Sequence, residues 1–201
     1  MKFHRTGFAL APAMRRGALG VAMVIAGTAN SHSVFACGYE DPSSAVFQRS
    51  VLSLSYPKAL YVLGALTQAR MDGTIAPEPI ATANYLLGFI KTSHMLQRFG
   101  AALQIRSGDD EELAFTLVLI EPMLWTRFSI HEGHVATTVH VEGPQPGDLV
   151  VVTAEAVLRL IVDRRMTAER AEELGLIRIY GDPSKFDRLQ RSFELRGSEQ
   201  D

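Results

Sequence analysis

The chain is poor in cysteine: Cys37 is the single thiol among 201 residues. One thiol excludes an internal disulfide and any thiolate cluster, and with them a Cys-built zinc or iron-sulfur centre is not expected. Charge of one sign is equally scarce. There are 20 Lys and Arg against 22 Asp and Glu, and no basic run is longer than the pairs Arg15-Arg16 and Arg164-Arg165. Nothing in that pattern would draw in a phosphate backbone, so no nucleic-acid partner is expected. A membrane-spanning run is missing too, because the apolar stretch Gly17 to Ala29 has 13 residues where a hydrocarbon core needs about 20. What is there, 47% hydrophobic and 21% charged residues without repeats or low-complexity segments, is the composition of an ordinary globular chain of one domain or at most two.

Acidic residues are absent from the first 36 positions, which hold Lys2, Arg5, Arg15 and Arg16, then Gly17 to Ala29, then the polar Asn30-Ser31-His32-Ser33. This is the basic, apolar and polar order of a secretory signal peptide, so residues 1–36 read as an export address. Val34 and Ala36 suit a cut before Cys37, and Gly27 and Ala29 suit one before Asn30. Val34-Phe35-Ala36-Cys37 also approximates a bacterial lipobox, in which the thiol is acylated and anchors the chain to a membrane. Both readings stay open: plain secretion to the periplasm or medium, or a lipoprotein anchored through Cys37. Removing residues 1–36 leaves 16 basic and 22 acidic residues, a net charge of −6.

Residues 37–79 carry helix punctuation. Asp41-Pro42 is an N-cap followed by proline at the first helical position, where the missing N–H costs nothing. Pro57 interrupts, and a second helix is predicted from about Pro57 to Arg70, capped by Ser55, with Ala59, Leu60, Leu63 and Leu66 as its apolar stripe and Gly73 as its stop. From Ile80 to Ile105 runs the longest helix candidate, with Tyr85, Phe89, Thr92, Leu96, Phe99 and Leu103 on one face. His94 lies within it as an ordinary histidine, since no Cys-x-x-Cys-His accompanies it.

Beyond Ser107-Gly108-Asp109-Asp110 the apolar period changes from 3.6 to 2. Leu113 to Ile120, Leu124 to Ile130, Val135 to Val141 and Leu149 to Val152 read as strands, the first three as an antiparallel meander. Leu124, Thr126, Phe128 and Ile130 share a face with Val135, Thr137, Val139 and Val141, which makes one side of the sheet an apolar floor. Thr153 is expected to cap a helix to Val162, and Thr167 another from Ala168 to Leu174, stopped by Gly175. Leu176 to Tyr180 makes a fifth strand. Asp182-Pro183 starts a last helix to about Phe193, and residues 196–201 form a polar tail expected to be disordered.

The segments Gly147-Asp148-Leu149-Val150-Val151-Val152, Ala156-Val157-Leu158-Arg159-Leu160-Ile161, Met166-Thr167-Ala168-Glu169-Arg170-Ala171 and Gly175-Leu176-Ile177-Arg178-Ile179-Tyr180-Gly181-Asp182, in that order, resemble the C-terminal half of a sterol carrier protein 2-like domain. The resemblance covers residues 85–193 and is strongest over 147–193. Asp163-Arg164-Arg165 departs from the glycine-containing turn usual there, and residues 37–79 match nothing in the domain. It implies an α+β fold over residues 80–195: a five-stranded, largely antiparallel sheet with helices over one face enclosing an apolar cavity, preceded by an extra N-terminal helical segment.

Catalytic chemistry needs convergent polar groups, and few are visible. There is no Gly-x-Ser-x-Gly, no phosphate-binding glycine loop and no His-Glu-x-x-His. His131, His134 and His140 could offer imidazoles to a metal, but His134 and His140 stand about 20 Å apart along an extended strand, so no metal site is expected. The chain is thus expected to be a non-enzyme that uses no cofactor, and the resemblance to the sterol carrier protein 2-like domain implies that it holds a hydrophobic small molecule: a lipid, an isoprenoid quinone or a sterol-like compound. The expected lining is Leu117, Leu119, Phe128 and Val139 on the sheet and Leu158, Ile161, Met166 and Leu174 on the helices. The alternative is an accessory module with a filled core that binds a periplasmic protein partner through its N-terminal helices or acidic surface.

Overall fold

The computed structural model describes residues 37–77, 85–103 and 112–194. The export address expected over residues 1–36 and the disordered tail expected over residues 196–201 lie outside the described residues. Among the described residues six α-helices and five strands follow in the order α1 (Pro42–Ser55), α2 (Tyr61–Met71), α3 (Tyr85–Ala102), β1 (Leu113–Leu119), β2 (Leu124–His131), β3 (His134–Val139), β4 (Leu149–Thr153), α4 (Glu155–Val162), α5 (Ala168–Glu173), β5 (Arg178–Tyr180) and α6 (Phe186–Ser192), the last entered through a 3-10 turn over Pro183–Lys185. The fold is α+β. One sheet runs β3-β2-β1-β4-β5, antiparallel except where β1 pairs in parallel with β4. No described helix is long and apolar enough to cross a membrane.

Strand register assigns the two faces. Leu117 pairs with Thr126 and Val151, and Thr126 with Val139, so these positions and their i±2 neighbours share one side. On that side Phe115, Leu117, Leu119, Phe128 and Val151 are buried beneath Leu96 and Phe99 of α3, Val157, Leu158 and Ile161 of α4, and Phe193 just past α6. The other side carries Val118, Ile120, Val150 and Val152, and it is covered as well. Ala45 and Leu52 of α1, Ala59, and Val62 of α2 pack on it, with Tyr56, Trp125 and Tyr180 at the margin. The N-terminal segment is therefore the second helical layer, and the sheet is sandwiched between two. Tyr180 donates its hydroxyl to the Pro57 carbonyl at 2.7 Å, and Arg49 donates to the Glu121 carbonyl at 2.6 Å, which ties the added layer to the sheet.

Local chemistry explains most element ends. Asp41 accepts from the Ser43 N–H, Thr167 from the Arg170 N–H and Asp182 from the Ser184 N–H, as N-cap side chains do. Gly175, at φ +71°, ends the α5 segment in the left-handed conformation that glycine adopts without a Cβ penalty. Two expectations are corrected. Thr153 is not a cap: it ends β4 fully buried, and its hydroxyl donates to the Leu176 carbonyl at 3.0 Å, leaving Ala154 as an N-cap without a side-chain bond. The second helix starts at Tyr61 and buries Val62, Leu66 and Ala69, whereas Leu60 is 37% exposed. Apolar residues lie on several sides of that helix, so periodicity alone could not choose the buried one.

In α3, Thr92, Leu96 and Phe99 face the core as the stripe predicts, but Tyr85 is exposed. Gly100 lets the backbone of this helix approach the sheet closely. A Cβ there would collide with Thr137 Oγ1 and stand 3.2 Å from the Phe128 ring. Gly to Ala within a helix ordinarily stabilises by up to about 1 kcal/mol. Here Gly100→Ala is expected to destabilise by about 1–2 kcal/mol, because neither a β-branched side chain nor a buried ring can step aside cheaply. A urea melt reads the sign directly.

Candidate functional site

A cavity of about 630 Å³ lies between the end of α4, α5, β5 and α6. Its apolar lining comes from Ile161, Met166, Ile177, Ile179 and Phe193, and its rim from Arg164, Thr167, Glu169, Glu172, Asp187, Arg191 and Glu194. The sequence places each in turn. Ile161 ends the buried stripe of α4. Ile177 and Ile179 alternate into the layer, and Phe193 follows the last turn of α6. Gln190 of α6 donates to Glu172 of α5 at 3.0 Å and ties the two rim helices together. Four carboxylates against two guanidinium groups make the mouth acidic.

The structure sorts the expected lining residues into two groups. Ile161 and Met166 line the cavity. Leu117, Leu119, Phe128 and Leu158 do not: they are 0–2% exposed, packed among other core side chains in the sheet and α4. Val139 and Leu174 are half-buried against the same core and stand outside the cavity lining. Ile177, Ile179 and Phe193 were not singled out from sequence. Alternation in β5 and the helix ending at Phe193 were visible, but which strand edge stayed uncovered was not.

A second constellation gathers at the opposite edge of the sheet. Cys37 is 1% exposed and belongs to the main core cluster. Burial pushes its thiol pKa up, partly offset by the backbone N–H groups of Tyr39 and Glu40. His140 follows β3 with φ +63°, a left-handed conformation uncommon for a side-chain-bearing residue. That conformation takes it out of strand alternation. Its ring stands edge-on to Phe89 of α3 at 5.9 Å, and its Nε2 is 3.8 Å from Glu40 Oε2. His134, by contrast, is exposed and pairs in register with His131 at the β2–β3 turn. Tyr39 fixes the loop between these groups: its hydroxyl donates to Glu155 Oε2 at 2.8 Å and lies 2.7 Å from Thr92 Oγ1. A Cβ at Gly88 would strike the Tyr39 ring at 2.9 Å, so this glycine admits the ring against α3.

No family model matches the chain, and no curated protein matches it. Among solved structures it is similar to a double mutant of the sec-alkyl sulfatase PisA1, with a TM-score of 0.38 and 14% identity over 54% of this chain and 16% of that one. It is also similar to the stereoselective inverting sec-alkylsulfatase Pisa1 from Pseudomonas sp., with a TM-score of 0.34 and 14% identity over 50% of this chain and 14% of that one. The matched part is thus a small fraction of those enzymes' length. At these TM-scores neither likeness establishes a shared fold.

Proposed function

We propose that this chain is an exported, non-catalytic protein of the sterol carrier protein 2-like kind that binds one hydrophobic small molecule in the cavity between α5, β5 and α6. The cavity carries the reading. Its volume of about 630 Å³ suits a drug-sized or lipid-sized ligand, and an apolar floor beneath a polar rim suits a molecule with an apolar body and a polar end. A ligand that lays about 120 Å² of apolar surface on Ile161, Met166, Ile177, Ile179 and Phe193 gains roughly 3 kcal/mol before the costs of ordering are subtracted. The acidic rim selects against an anionic head group. A neutral hydrophobe such as an isoprenoid quinone or a sterol-like compound therefore fits better than a fatty carboxylate.

Organic extraction of the purified chain followed by mass spectrometry is expected to release about one neutral lipid per chain. Met166→Arg puts a guanidinium into the cavity from a half-buried position, and is expected to weaken quinone binding by about tenfold or more without changing the melting temperature. A protein that comes out empty and whose melting ignores both quinones and fatty acids rejects the proposal.

A second reading rests on exposed apolar helix faces. Phe47, Val51 and Leu54 recur along the outer face of α1 at 66%, 46% and 83% exposure, and Leu86, Leu87 and Ile90 of α3 are also exposed. Such rows mark protein contact surfaces. On this reading the chain is an accessory module that binds a periplasmic protein partner through its N-terminal helices, and the empty, ligand-indifferent protein is its expected outcome.

A further inference from the structure

The cavity lies beside edge strand β5, and the corner holding Cys37 lies beside edge strand β3, so the two ends of the sheet present separate chemistries. At this corner a Cys37 Sγ, a Glu40 carboxylate oxygen and an imidazole nitrogen of His140 all lie within 4.8 Å of one another. We propose that they form a binding site for one divalent transition-metal ion of the zinc type, with three protein donors and a fourth position open to water or a ligand atom.

Donor chemistry selects the ion. Magnesium and calcium take oxygen donors, whereas one sulfur, one imidazole nitrogen and one carboxylate oxygen are the set that zinc accepts in sites with an open position. A single thiolate suffices when nitrogen and oxygen complete the set, so the scarcity of cysteine does not exclude it. The distances are within reach. Metal–donor bonds of about 2.0–2.3 Å place tetrahedral donors roughly 3.3–3.8 Å apart, so the cluster must contract by about 1 Å. His140 and Glu40 side chains, at 27% and 51% exposure, have room to rotate inward, while buried Cys37 stays in place.

The surroundings already hold the donors in position. The Glu40 and Asp41 N–H groups donate to the Cys37 carbonyl at 2.8 and 3.0 Å, which folds the turn back so that Glu40 stands beside Cys37. Gly38 donates to the Pro122 carbonyl at 2.6 Å, and a Cβ at Gly38 would meet that same oxygen at 2.9 Å. Tyr39 is locked onto α3 and Glu155, and Phe89 packs edge-on against both Tyr39 and His140. Outer contacts of this kind orient donors before the ion arrives.

The test is titration of the purified, reduced chain with Co²⁺ and then Zn²⁺. One cobalt ion per chain is expected, with a thiolate-to-cobalt charge-transfer band in the near ultraviolet and the intense visible bands of a four-coordinate site, both removed by one equivalent of zinc. Cys37→Ser should abolish the charge-transfer band and weaken zinc binding by more than the ~10–100-fold that loss of an outer-shell partner costs. His140→Asn keeps a residue tolerant of the left-handed backbone but removes the imidazole, and should weaken binding at least about tenfold. His134→Asn should change nothing, and metal-free melting temperatures show that each variant folds. Substoichiometric cobalt, a band that survives both His140→Asn and Glu40→Gln, or a Cys37 found acylated on the native chain would each overturn the proposal.

Discussion

Phe128→Ala is expected to destabilise the chain by about 3–5 kcal/mol, a large part of the 5–15 kcal/mol typical of a domain. Phe128 is 0% exposed and sits on β2, inside the sheet. Its ring stacks on Phe115 with centroids 4.9 Å apart and meets Phe99 of α3 edge-on at 5.4 Å. Phe193 closes the group, edge-on to Phe99 at 5.4 Å and to Phe115 at 5.7 Å. Truncation removes two aromatic contacts of about 0.5–1.5 kcal/mol each beyond area burial, and opens a hole that sheet and helix cannot both close. Urea denaturation measures the loss. The same experiment separates core from cavity: a cost under about 1 kcal/mol would mean that Phe128 lines open space, as its place in the expected ligand lining requires, whereas the packed ring cluster demands the large value.

Asp148→Asn should cost about 3 kcal/mol at neutral pH. The carboxylate is 2% exposed and stands just before β4, beside Thr116 of β1 and Arg127 of β2. It accepts from Thr116 Oγ1 at 2.7 Å, from Arg127 Nε at 3.0 Å and Nη2 at 3.1 Å, and from the Gln145 N–H at 3.1 Å. Burial alone would raise its pKa. The Arg127, Thr116 and Gln145 donors outweigh that and hold it below the ordinary carboxylate value. Losing one partner of a buried ion pair costs about 3–5 kcal/mol, and the lower end applies because Arg127, 22% exposed, can still reach water.

The pH dependence has a definite sign. A carboxyl whose folded pKa is depressed contributes its full stability above its unfolded pKa of about 3.9, and that contribution disappears as pH falls through the lower folded value. Wild-type stability should therefore drop steeply below about pH 4, and Asp148→Asn should show a shallower drop over the same range. Parallel acid-denaturation curves for the two proteins would remove Asp148 from this role.

Much of the fold was legible because it is written in short-range chemistry. The caps at Asp41, Thr167 and Asp182 need a side-chain oxygen two or three residues from an orphan N–H, and the alternation of Leu113 to Ile120 and Leu124 to Ile130 needs only the period of the pleat. Thr153 reads as a cap from its neighbours alone, but the same hydroxyl can cap a helix or satisfy a buried carbonyl, and only the position of Leu176 decides which. Within the candidate cavity, Ile161 and Met166 are legible as apolar residues of the two helices that follow β4, and they stand at the end of α4 and just before α5. Ile177, Ile179 and Phe193 are not legible, because an apolar side chain under a helix and one under open space have the same sequence pattern.

By itself the sequence determined the α+β class, the strands with the alternating faces of β2 and β3, and the scarcity of one-sign charge and of cysteine, and it raises the expectation of a leader over residues 1–36 cut before Cys37 or before Asn30. Tertiary structure alone decided that α1 and α2 cover the second face of the sheet, that the central phenylalanines are filled core, and that an uncovered edge beside β5 holds the cavity. It also decided that the lone cysteine meets Glu40 and His140 at the other edge. The physical reason is range. Caps and periods are contacts between neighbours in the chain, whereas a face, a cavity or a three-residue cluster exists only once segments distant in sequence have been packed against one another.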